Sequence, residues 1–106
     1  MMTAEELFTH LLKNKRLITY SGAYCQLFGE NPERWNQKHA GAVLRRAKQT
    51  KPQEVFPGIM LRLDSLIVLD KGDGPSDGYF DEKKNTEPFI HKFSVWRVMF
   101  KGWNRW

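Results

Sequence analysis

Among 106 residues the chain has one cysteine, Cys25, so no internal disulfide is available and the fold cannot depend on oxidising conditions. Long apolar runs are also missing. The longest fall well short of the roughly 20 residues that a membrane-spanning helix needs. The opening MMTAEELFTHLL has neither a basic stretch nor an extended apolar run, so it does not read as a secretory leader. These absences lead to the expectation of a cytoplasmic protein with no membrane partner. Zinc-type spacing is lacking too. His10, His39 and His91 lie in three different segments, none near Cys25 with ligand spacing. No metal or other cofactor is implied.

Acid is absent from residues 34–53, which carry Arg34, Lys38, Arg45, Arg46, Lys48 and Lys51. The opposite bias holds at residues 70–82, where Asp70, Asp73, Asp77, Asp81 and Glu82 face only Lys71. The net charge is +5, which favours polyanions, and the basic segment is where a phosphate backbone would approach. With 41% hydrophobic residues, there is material for a real core. The length leaves no room for two cores, so residues 1–106 are expected to form one domain.

The apolar spacing predicts a first helix over residues 3–14, with Thr3 as its cap and Glu6 three residues later in capping-box position. A second, short helix is capped by Ser21 or Thr19 and runs to Leu27 or Phe28, with Gly29 suited to its end. Asn31-Pro32 is a turn, and a third helix is expected from about Glu33 to Gln49, stopped by Pro52. On this helix Trp35, Ala40, Val43, Leu44 and Ala47 are expected inward. Lys38, Gly41, Ala42, Arg45, Lys48 and Gln49 fall on the other side. Gly41 permits close approach of a groove or of a neighbouring helix.

Residues 53–63 are apolar without a clear period. Ser65 to Asp70 reads as a strand, the loop Gly72 to Gly78 as a tight turn, and Tyr79-Phe80 as the start of a returning strand, together a short hairpin or wing. The acids of this loop do not match a calcium-binding spacing. Thr86 can cap a last helix with Pro88 in its first turn. Phe89, Phe93, Trp96, Phe100 and Trp103 then recur at helical spacing and are expected to dock on the core; the alternatives are an exposed partner-binding face near Trp103 and Trp106, or base stacking by these tryptophans. Cys25 reads as a structural residue of the second helix. No nucleophile, base or carboxylate pair comes with the partners catalysis needs, so the expectation is a protein without a catalytic site.

Several segments resemble a known family. Ile18-Thr19-Tyr20 followed by Gly22 to Gly29, and His39-Ala40-Gly41-Ala42-Val43-Leu44-Arg45-Arg46, resemble the C-terminal DNA-binding domain of O6-alkylguanine-DNA alkyltransferases and alkyltransferase-like proteins. Ser65 to Asp70 and Gly72 to Tyr79 resemble that family's later strand and Gly-rich turn. The resemblance spans about residues 17–80. It implies a winged-helix fold, a recognition helix in the DNA minor groove, and Tyr20 near a nucleotide phosphate. Lys38 stands where the family has an arginine in the base stack, and Gly41 and Ala42 match small groove-facing positions. The family's Pro-Cys-His-Arg motif is replaced by Met60-Leu61-Arg62-Leu63-Asp64-Ser65-Leu66, so alkyl transfer is not implied.

The sequence therefore leads to an α+β fold of winged-helix type, a helical bundle with a short β-hairpin and a C-terminal helix. The expected function is non-catalytic binding of duplex DNA. Tyr20, Gln37, Lys38, Gly41, Arg45, Arg46, Lys48 and Lys51 form the candidate surface, with the cations meeting phosphates. The alternative is a small regulatory or inhibitory module that presents the same helix to an acidic protein partner.

Overall fold

Local capping sets the first three helices. In the computed structural model, which describes residues 1–72, 74–83, 89–90 and 92–106 and only the backbone at 77, 82 and 83, α1 spans Ala4–Asn14. The Thr3 hydroxyl accepts from the Glu6 amide at 3.1 Å, and the Glu6 carboxylate accepts from the Thr3 amide at 3.0 Å. Two of the helix's unsatisfied N–H groups are met in this way. Leu7, Phe8 and Leu11 make its buried stripe. The helix ends on Lys15 in the left-handed region, φ 52°, at a cost of about 1–2 kcal/mol for a residue with a side chain.

Strand β1 (Arg16–Thr19) leads directly into α2 (Tyr20–Phe28). Thr19, rather than Ser21, is the cap, and its hydroxyl accepts from the Gly22 amide. Gly29 closes α2 with φ 69°, doing with glycine what Lys15 does for α1. Helix α3 spans Gln37–Ala47, so the expected start at Glu33 is too early. Asn36 is the reason. Its side chain accepts from the Lys38 amide at 2.8 Å, and Nδ1 of His39 accepts from the Asn36 amide at 3.1 Å.

The strands depart further from expectation. After α3 comes an antiparallel hairpin, β2 (Gln53–Phe56) and β3 (Ile59–Leu61), turning at Pro57-Gly58. Gly58 takes φ 76° and donates its N–H to the Glu54 carboxylate. The expected hairpin over 65–80 does not form. Leu63–Leu66 is a 3₁₀ turn, β4 is only Ile67–Val68, and Tyr79-Phe80 lie within α4 (Asp77–Lys83). Burial decides that outcome. Tyr79 is buried, with its hydroxyl 2.9 Å from Ser65 Oγ, while Phe80 packs edge-on to Phe93.

The last helix, α5, is Phe93–Met99, shorter than the spacing suggested, and β5 is Asn104–Arg105. The proposed Thr86 cap and Pro88 lie outside the described residues. Parallel pairing joins the ends of the chain: β1 sits between β4 and β5, with Ile18 opposite Ile67 and Arg16 opposite Asn104. The architecture is a mixed α+β one. Helices α1, α2 and α3 pack with the 3₁₀ turn and this small sheet over Leu27, Val43, Leu66 and Ile67.

Two contacts tie the second half of the chain to that core. Trp96 Nε1–H donates to the Ser65 carbonyl at 2.9 Å, satisfying the ring's polar atom while its body is buried. A Cβ on Gly74 would lie 2.7 Å from Phe93 and 3.0 Å from Trp96, so only glycine lets the loop pass these rings. Asp64 is buried but paired side-on with Arg62, through contacts of 3.2 and 3.0 Å.

Candidate nucleic-acid interface

Helix α3 divides into three faces. Val43 and Ala47 are fully buried and fix which side is inward. On one flank His39 and Arg46 face α2. His39 stacks on Trp35 with centroids 5.3 Å apart and meets Tyr24 edge-on. The Arg46 guanidinium lies 4.1 Å from the Phe28 ring centre and donates to the Leu27 carbonyl at 3.1 Å. Arg46 thus serves the α2–α3 contact through a cation–π pair and a hydrogen bond. It is exposed all the same, on the α2 side of Arg45.

On the other flank Ala40 and Leu44 border an open cavity of about 820 Å³. Tyr20, Trp35 and Leu69 complete its apolar walls, and Gln37, Asp70 and Lys71 add polar groups. Three residues expected inward, Trp35, Ala40 and Leu44, sit here instead. Leu44 is half-buried, and Trp35 precedes the helix and is 38% exposed. Tyr20 is buried, with its hydroxyl donating to Ser76 Oγ at 3.4 Å, so it is part of the cavity wall rather than the outer helix surface.

The third face is the outer one. Helical spacing places Lys38, Gly41, Ala42, Arg45 and Gln49 together there. Lys38, Arg45 and Gln49 are exposed, as are Gln37 and Lys48 next to them. A Cβ at Gly41 would meet nothing closer than the Arg45 guanidinium at 4.0 Å. The glycine therefore does not serve helix packing; the space above it is open. Among the described residues the side chains of Lys38 and Arg45 make no hydrogen bond or ion pair. Lys38 lies in the first turn of α3, where the helix dipole disfavours a cation, so helix stability does not explain its position. Arg45, in the last turn, is in the favourable place. Lys51 is exposed beyond the helix, with its backbone N–H bonded to the Glu5 carboxylate at 2.7 Å, which sets it beside an acid.

Several residues around this surface carried no sequence signal. Arg105, on β5, donates to the carbonyls of Asp70 and Gly72 and so holds the loop that walls the cavity. Asn36 and His39 fix the start of the helix through a reciprocal cap. Cys25, read from sequence as structural, is exposed. A residue in a short helix of unknown rotation cannot be placed in or out from its neighbours alone. No group of three or more potential metal ligands occurs among the described residues. His10 packs at a tilt against Trp106 and His39 serves as a cap, so neither is arranged as a base for Cys25.

No protein-family model, curated protein or solved structure matches the chain.

Proposed function

We propose that the protein is a non-catalytic duplex-DNA-binding protein that presents the outer face of α3 to a groove. The observation that carries this reading is the stripe Lys38–Gly41–Arg45: two cations without a partner among the described residues flank a position with no side chain and open space above it. Such a stripe lets a helix backbone approach a groove floor while its flanking charges reach phosphates. Gln37 and Gln49 supply donors and acceptors for base edges. The order of elements supports a winged-helix-type scaffold, since a hairpin follows α3 directly. That hairpin carries Glu54 and no cation over residues 53–61, so phosphate contact is assigned to the helix and not to the wing.

A titration of labelled duplex DNA at increasing salt tests the proposal. The Lys38→Ala/Arg45→Ala double variant should bind more weakly, and its salt dependence should flatten by about two phosphate contacts, with a melting temperature close to that of the parent. Equal affinity of the double variant and the parent, or no duplex binding even at low salt, would overturn it.

One observation favours a second reading, a regulatory or inhibitory module for an acidic protein partner. The cavity beside α3 has apolar walls and cations close by, and it would seat an apolar anchor from such a partner. An acidic partner that binds the parent and is lost in a Leu44→Trp variant, with no duplex binding, would favour that reading.

A further inference from the structure

A second basic surface lies where α1 ends. Helix α1 is 11 residues long, or about 16 Å. Its N-terminus lies near the end of α3, as the contact between Glu5 and Lys51 shows. Its C-terminus is therefore well removed from that point. At that far end stand Lys13, Lys15 and Arg16, and none of them is in an ion pair among the described residues. Parallel pairing brings β5 alongside, with Arg16 opposite Asn104 and the Arg16 guanidinium donating to the Arg105 carbonyl at 3.4 Å. The Trp106 amide donates to the Leu17 carbonyl at 2.7 Å. This fixes the backbone of Trp106, whose ring lies on His10 with centroids 4.3 Å apart. Trp106 remains 46% exposed. Asp70, whose backbone carbonyl Arg105 holds, accepts at its carboxylate from Ser21.

We propose that this end of the molecule binds single-stranded nucleic acid, with Trp106 stacking an unpaired base and Lys13, Lys15 and Arg16 holding the backbone. A half-exposed tryptophan backed by a second ring, at an end of the molecule that carries several cations, is the combination that single-strand binding requires: a π-face for any base and positive charge along the phosphates. Duplex DNA offers no free base face, so the tryptophan selects the single strand.

Lys15 adds an independent reason. It is the only non-glycine residue with positive φ among the described residues. The equivalent position after α2 is Gly29, where the same conformation is free of strain. A cation at a helix C-terminus recovers part of the cost through the dipole. The ammonium group is then retained at a position where glycine would hold the backbone more easily.

The surface is independent of the α3 reading, and the test separates them. The probe is a short fluorescein-labelled oligo(dT), followed by anisotropy with the full chain. Trp106→Ala should weaken binding by about five- to a hundredfold, and Trp106→Phe should restore most of it. Lys15→Gly should raise the melting temperature and still weaken oligo(dT) binding severalfold. Lys38→Ala/Arg45→Ala should leave oligo(dT) binding as it was. Failure of the parent to bind oligo(dT) at low salt overturns the proposal. So does parental affinity in Trp106→Ala, or a Lys15→Gly variant that melts higher and binds equally well. If Trp106→Ala folds poorly, the Lys15→Gly result decides alone.

Discussion

The two basic surfaces are built in opposite ways. The α3 surface is local. Lys38, Gly41 and Arg45 are gathered by one helix, and their relative placement depends on helical periodicity and on the Asn36–His39 cap. The surface at the end of α1 is non-local, because it exists only when Arg105 and Trp106 pair beside Arg16 and Leu17. The first should therefore survive damage that destroys the second. The difference also accounts for how each reads in the sequence: a helical charge stripe is visible as spacing, and a patch shared by the two ends of the chain is not.

Trp96→Ala should break the comparison most strongly. It removes a buried ring and leaves the Ser65 carbonyl without its donor, at a cost of about 3–5 kcal/mol by urea denaturation. In partly destabilising conditions the Trp106 amide should exchange with solvent before the amides of α3. Simultaneous loss of protection at both would show that the two surfaces form one cooperative unit.

Gly41→Ala sharpens the comparison at the other surface. No atom obstructs the added methyl group, so helix propensity should raise stability by about 1 kcal/mol. If the backbone meets a groove there, duplex affinity should fall while oligo(dT) affinity holds. A stabilised variant with unchanged duplex affinity would remove Gly41 from the interface.

The smallest effect is expected at Glu6, which serves the cap of α1. Bonds from the Thr3 backbone first, and from its side chain second, hold its carboxyl below the ordinary carboxylate value. The folded value lies below the unfolded one. The stabilisation is therefore complete above the unfolded value and fades as the pH falls through the folded one. Glu6→Gln should lower the melting temperature slightly near neutrality, and by less in acid. A difference that grows on acidification would contradict this assignment.

Helix α1 was legible because its cap, acids and apolar stripe are separated by three or four residues. So was α2, and so was the outer face of α3. The strands were not. β4 and β5 are two residues each, too short to show alternation, and their partner β1 is distant in the chain. Tyr79-Phe80 has strand propensity, but its conformation is set by Ser65 and Phe93, so local preference gave way to burial. Trp35 was misplaced because Asn36 starts the helix after it and leaves it at the cavity. The Arg46 role escaped because a cation lying on Phe28 has the same spacing as one facing solvent.

Parallel pairing around β1 also bears on the order of assembly. Arg16 and Arg105, which meet at its outer edge, are 89 residues apart along the chain. Closing so long a loop costs entropy before its contacts return any, and contacts of this kind slow folding. Helices α1 to α3 can dock during synthesis as soon as residue 47 has emerged. The β5 edge must wait for residue 105, and a nascent chain stalled before that point would carry the α3 charge stripe without the opposite end of the molecule.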